Sequence, residues 1–135
     1  MILINKDEVN NAIDSILSYQ VNSREEEDSL MLCEDDVRSV TQDAMDIVAL
    51  VDRSVGSLEA LAQCVQSEIA FIKRLVPITH SAYTVDFSVR NDLLMAELSI
   101  AADLLRKEIG DSPVRMGVHY SNESPITITV IMGLK

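Results

Sequence analysis

An apolar repeat at alternating steps of four and three residues constrains this chain more than any other feature of its sequence. The repeat runs through Val37, Thr41, Ala44, Val48, Val51, Val55, Leu58, Ala62, Val65, Ile69, Ile72 and Val76. This spacing is typical of a helix that packs along its length against other helices. Much of the chain is therefore expected to hold helices together, within one subunit or between subunits.

The residues of this heptad seam argue against a simple two-stranded coiled coil. A parallel dimer prefers Leu at its d positions, whereas the d positions here are mostly β-branched, and a third apolar row lies beside them. Such a wide stripe predicts that three or more helices associate, or that the segment packs against its own chain. For association between subunits, the expected interface consists of Val48, Val51, Val55, Leu58, Val65, Ile69 and Ile72.

Gly56 leaves two structures open for this segment. The four-three phase continues across Gly56 without interruption, which favours one long helix over 35–76. Gly56 followed by Ser57 also resembles a helix end and a new N-cap, which favours two helices, 35–55 and 58–76, in an antiparallel hairpin.

The remaining segments predict an α+β protein with a single domain over 1–135. Asn5 is expected to cap an amphipathic first helix, so that 1–76 forms a helical part. Residues 77–135 predict a β-α-β-β unit: a strand at 83–89, a helix at 91–109 closed by Gly110, and strands at 114–120 and 126–134. The last two strands are expected to form an antiparallel hairpin, and one helix is expected to cover the sheet.

Composition narrows the classes of partner. A hydrophobic fraction of 47% with only 4% aromatic residues predicts an aliphatic core, and the net charge of −11 disfavours direct binding to nucleic acid. The same charge suits a basic partner protein, or occupation of a nucleic-acid-binding groove by mimicry of phosphate charge. No signal peptide or membrane span is recognisable, which predicts a soluble, cytoplasmic protein.

The best candidate site is the polar face of the predicted sheet. Alternation places hydroxyls, a carboxylate, a guanidinium and an imidazole on the side away from the covering helix. Arg115 and His119 could bind an anion or a nucleotide there, although a solvated sheet face would carry the same residue types. The candidate ligand-binding residues are Asp86, Arg115, His119, Thr127 and Thr129, with Thr84 and Ser88 beside them.

Motifs for metal, cofactor and catalysis are absent from the sequence. His80, His119, Cys33 and Cys64 lack metal-ligand spacing, and no Gly-rich phosphate loop or nucleophile elbow occurs. We therefore expect no catalytic residues, no metal and no cofactor.

Three functions follow as hypotheses. The first is a non-enzymatic homo-oligomer that associates through the heptad segment and meets a partner by its acidic surface or its polar sheet face. The second is an acidic inhibitor of a basic protein. The third is a small-molecule binding protein, or a small enzyme, centred on Arg115 and His119.

Overall fold

The computed structural model describes most of the chain, namely residues 1–22, 34–42, 44–54, 56–75, 82–90, 92–93, 95–120 and 125–134. These residues form an α+β structure of four helices and a five-stranded sheet. Its elements are β1 (Ile2–Leu3), α1 (Lys6–Asn22), α2 (Glu34–Thr41), β2 (Asp46–Ser54), α3 (Leu58–Leu75), β3 (Ala82–Val89), α4 (Met95–Ile109), β4 (Val114–Tyr120) and β5 (Ile126–Leu134). None of the described helices is long and apolar enough to cross a membrane.

The sheet has the strand order β1-β2-β5-β3-β4. Strands β3 and β4 are parallel, and every other neighbouring pair is antiparallel. Because successive side chains of a strand point to opposite faces, each strand divides its residues between two layers. Helices cover both faces, so the sheet is the middle layer of three.

Helices α3 and α4 cover one face and form the main core with it. Side chains of both helices pack against alternate residues of β2 to β5, including the fully buried Leu50, Val85, Ile128 and Val130. The helices run in the same direction, since Lys73 Nζ, near the end of α3, donates a hydrogen bond of 2.6 Å to the Glu108 carbonyl oxygen, near the end of α4. Burial of each large aliphatic side chain contributes roughly 2 kcal/mol.

Helices α1 and α2 cover the opposite face, over a smaller core. Val9, Ala12 and Ile16 of α1 pack with Val40 of α2 and with Ile131 of the sheet. The predicted N-cap is confirmed, because Asn5 Oδ1 accepts hydrogen bonds from the backbone N–H groups of Asp7 and Glu8, at 2.9 and 3.4 Å.

The prediction of a long helix over 35–76 is wrong, and so is the first arm of the alternative hairpin. Asp46–Ser54 is a strand, paired with β5 along its whole length. Ile47–Val51 is apolar at every position, which suits a strand buried on both faces as well as a helix seam. The break near Gly56 is real, since Ser57 Oγ accepts a hydrogen bond of 3.3 Å from the N–H of Ala60 at the start of α3.

Five of the seven residues expected to form an intersubunit interface lie instead within this chain's own core. Val48, Leu58, Val65, Ile69 and Ile72 are buried between α3 and the sheet. Val51 is partly buried against the smaller core, and Val55 lies outside the described residues. The heptad pattern therefore arises from packing within the chain. Strand β2 belongs to the sheet, and helix α3, which follows it, buries its apolar residues against that sheet.

The predicted order β-α-β-β after residue 77 is confirmed, but its predicted pairing is wrong. Strands β4 and β5 are not neighbours, because β3 lies between them, and α4 connects β3 to the parallel β4. The reason lies in β5, which is apolar on both faces over Val130–Met132 and therefore takes the centre of the sheet. The part predicted to be helical, 1–76, contributes β1 and β2, and two helices rather than one cover the main face.

Candidate functional site

The predicted polar residues do lie on one face of the sheet. Alternate residues of β3 face α1 and α2, and the register places Asp86 beside Thr129 of β5 and Ser88 beside Thr127 of β5 and His119 of β4. The face is not solvated, however. The buried polar residues of the described chain are all members of it: Thr84, Asp86, Ser88, His119 and Thr129.

A half-open cleft of about 810 Å³ lies between α1 and this polar face. Its floor comes from the sheet and its wall from α1, and it combines polar side chains with an apolar patch of Leu3, Ala12, Ile16 and Val51. The remaining lining residues are Met1, Glu8, Asn11, Ser15, Arg53, Asp86, Pro125, Thr127 and Thr129.

Asp86 is the buried titratable group of the cleft. Its side chain comes from β3, inside the sheet, and only 4% of the residue is exposed. Burial raises the pKa of its carboxyl from the usual 3.8 to about 7. Within the described chain it forms no hydrogen bond and no ion pair. Buried polar groups are normally hydrogen-bonded, so this carboxyl has unused capacity directed at the cleft.

Arg53 supplies the opposite charge at the rim. It lies on β2 beside Thr127 of β5, two strands from Asp86 and on the same face of the sheet. Its side chain is exposed, and it makes no ion pair with other described residues. The cleft therefore has a buried acid at its floor and a cation at its edge, with two threonine hydroxyls between them.

Arg115 and His119, the centre of the predicted anion site, do not line this cleft. Arg115 is held by α2 instead, where its Nη1 lies 3.3 Å from Asp36 Oδ1. His119 is buried beside Ser88. Of the seven residues predicted on the polar face, three line the cleft, namely Asp86, Thr127 and Thr129. The other four, Thr84, Ser88, Arg115 and His119, share the face but lie outside the lining.

We expect Arg115→Ala to lower the free energy of unfolding by no more than about 0.5 kcal/mol. The guanidinium is 59% exposed, and water screens an ion pair at such a site. Urea denaturation measures the change. A loss of several kcal/mol would contradict the peripheral role that the structure gives to Arg115.

The residues missed from the sequence are those supplied by β2 and by α1. Arg53 was placed on a helix, so its position on a strand was not foreseen. Asn11 and Ser15 lie on the face of α1 that lines the cleft. The apolar face of α1, through Val9, Ala12 and Ile16, was visible in the sequence, but nothing there showed that it packs over the polar side of the sheet.

A second group of titratable residues lies on the other face of the sheet. Asp52 of β2 approaches Cys64 and Glu68 of α3, so that one potential ligand atom from each lies within 4.8 Å of the others. The amino group of Met1 donates hydrogen bonds to both carboxylates. Burial, and then a hydrogen bond with Asp52, raise the pKa of Glu68 from 4.5 to about 7. Within the described chain, these are the residues that could hold a cation.

Comparison with known proteins shows a fold and no family. No protein-family model matches the chain, and no curated protein matches it. The structure is similar to that of a point mutant of FtsZ from M. jannaschii, with 13% identity and a TM-score of 0.53, over 98% of this chain and 42% of that chain. It also resembles thiamine monophosphate kinase from Aquifex aeolicus, with 12% identity and a TM-score of 0.46, over 64% of this chain and 33% of that chain.

The likeness to FtsZ shows a shared fold alone, because the sequences are so different. The chain spans less than half of the length of that FtsZ chain.

Proposed function

We propose that this protein binds a small polar molecule in the cleft between α1 and the sheet, where Asp86, Thr127 and Thr129 contact it. The observation that carries the proposal is the Asp86 carboxyl, which is almost completely buried, makes no hydrogen bond with the described residues and faces the cleft. A bound molecule would supply the missing hydrogen bonds.

Energetics support a functional role for Asp86. A buried carboxyl without a partner lowers stability at neutral pH, because ionisation is costly away from water. Titratable groups with such strongly raised pKa values are concentrated at binding and active sites. An apolar residue at position 86 would make the folded protein more stable than Asp86 does. A role of the carboxyl in binding a ligand explains why a destabilising residue occupies this position.

The size and lining of the cleft suit this function. Small-molecule sites are typically clefts of about 300–1,000 Å³, lined by apolar side chains with a few polar groups that orient the ligand. The cleft of about 810 Å³ lies within that range. Ala12 and Ile16 of α1 face the polar floor across the cleft, and Leu3 and Val51 extend the apolar surface onto the sheet.

The same geometry favours this proposal over association through the heptad seam. Residues such as Val65 and Ile69 are fully buried within the chain and offer no surface to a second copy. Among the hypotheses from the sequence, small-molecule binding therefore has the best support, with its centre moved from Arg115 and His119 to Asp86.

A thermal-shift screen of amines, carboxylic acids, amino acids and nucleotides tests the proposal. A ligand at 100 times its Kd should stabilise the protein by about 2.7 kcal/mol and raise Tm by roughly 5–10 °C. The Ser15→Trp variant, which fills the cleft from α1, should lose this shift. Asn10→Trp, an exposed position of α1 outside the lining, and Arg115→Ala should keep it. Equal shifts in all three variants would place the ligand elsewhere and contradict the proposal.

A further inference from the structure

The two ends of the cleft carry groups of opposite charge type, an acid at one end and a base at the other. The floor holds the carboxyl of Asp86, and the rim holds the guanidinium of Arg53. Their Cα atoms are two strand spacings apart across the sheet and two residues apart along it, which amounts to about 12 Å. The long side chain of Arg53 can shorten this gap considerably.

The surface between these ends is amphipathic. Thr127 and Thr129 place hydroxyls along the floor, while Ala12 and Ile16 of α1 form an apolar wall and Leu3 of β1 adds apolar surface at its foot. A short methylene chain would bury apolar area against this wall. A charged headgroup alone would leave the wall uncovered.

The sign of charge at the floor follows from the surroundings. Glu8 adds a second carboxylate to the lining, and the whole chain carries a net charge of −11. This field draws cations toward the floor and repels anions from it. The other charged residues of the cleft lining are Glu8 and Arg53, together with Met1, whose amino group pairs with Asp52 and Glu68. Outside the lining, Arg115 and His119 of β4 share the sheet face of Asp86, and Asp36 of α2 pairs with Arg115.

Resting on the proposed function, we infer that the ligand is a linear molecule with a primary ammonium group at one end and a carboxylate at the other. The ammonium group donates hydrogen bonds to Asp86, the carboxylate accepts them from Arg53, and a short apolar chain between them contacts α1. Asp86 meets the ammonium group in its ionised form. The proton that its carboxyl holds in the free protein is released to solvent.

A matched set of probes tests the assignment by isothermal titration calorimetry. 6-Aminohexanoate carries both charged groups, hexylamine only the ammonium group, hexanoate only the carboxylate, and hexanol neither. We expect 6-aminohexanoate to bind most tightly, hexylamine about tenfold more weakly, and hexanoate about 100-fold more weakly. Asp86→Asn should weaken both amines at least about tenfold, whereas Arg53→Gln should weaken 6-aminohexanoate but not hexylamine, which loses no favourable contact with Arg53.

Proton release gives a readout that a merely structural role of Asp86 would not move. Near pH 6.5, titration of the amines in buffers with different ionisation enthalpies should show up to about one proton released per site in the wild-type protein, and none in Asp86→Asn. Equal affinity for hexanol and hexylamine, unchanged amine binding in Asp86→Asn, or no binding of any probe would overturn the assignment. If the broader screen still finds cleft ligands that Ser15→Trp excludes, only the ligand class fails and the proposed function stands.

Discussion

At pH 8, the Asp86→Asn variant is expected to be more stable than the wild-type protein, by as much as about 4 kcal/mol in the free energy of unfolding. Burial raises the pKa of the Asp86 carboxyl from 3.8 to about 7, and one pKa unit corresponds to about 1.4 kcal/mol. The ionised carboxylate therefore destabilises the folded protein at this pH. Asparagine keeps the shape of the side chain without the charge.

The sign of the pH dependence follows from proton binding. Between about pH 4 and pH 7, the folded protein keeps a proton on Asp86 that the unfolded chain has released. The folded state then binds more protons, so this group lowers the free energy of unfolding as pH rises. The difference between variant and wild type should be small at pH 4, grow through this range and level off above pH 7. Glu68 titrates in both proteins, so its contribution cancels.

Urea denaturation at pH 4, 6 and 8 measures this difference. Asp14→Asn, an exposed carboxylate on α1, is the matched control, and it should change the free energy of unfolding by less than about 0.5 kcal/mol at each pH. A stabilisation by Asp86→Asn that is the same at pH 4 and pH 8 would show that burial of the charge is not its source.

The Gly133→Ala variant is expected to lose about 3 kcal/mol of stability or more. Gly133 lies in β5, where the end of α2 crosses the sheet, and a Cβ atom there would overlap the carbonyl oxygen of Val40. It would also lie 3.1 Å from the Val40 carbonyl carbon and 3.2 Å from the Cβ of Ala44. Backbone cannot rotate away as a side chain can, so α2 must shift off the sheet.

Gly56→Ala is the matched control for this substitution. Among the described residues, a Cβ at Gly56 meets Ser54 Oγ alone, at the ordinary contact distance of 3.5 Å, and the change should cost less than about 0.5 kcal/mol. Urea denaturation gives the two free energies, and hydrogen exchange of the amides in α2 locates the loss. Equal stability of the two variants would contradict the close approach of α2 to β5.

Local patterns in the sequence predicted individual helices and strands more reliably than the pairing between strands. Strict alternation identified β3, β4 and β5, and the apolar spacing closed by Gly110 identified α4, whose last residue is Ile109. The helical assignment failed at Asp46–Ser54, because its apolar stretch, Ile47–Val51, fits a strand and a helix equally. Pairing with β5 decides between them, and that contact joins residues far apart in the chain.

The candidate site was predicted in part for the same reason. Alternation alone places Asp86, Thr127 and Thr129 on one face once their strands are known. It cannot show that α1 covers that face, or that Arg53 reaches its edge from β2. Both facts depend on contacts between segments that are distant in the chain. Because of these contacts, the face that was expected to be exposed to solvent forms the floor of a cleft.

The sequence by itself determined which residues are apolar on one side and polar on the other, because the periods of strands and helices are properties of the local backbone. Only the tertiary structure decided where those sides face. Strand order, the choice of β5 as the central strand and the docking of α1 and α2 all come from burying the remaining apolar surface as a whole. That packing is what leaves the carboxyl of Asp86 buried, without a hydrogen-bond partner among the described residues, and open to the cleft.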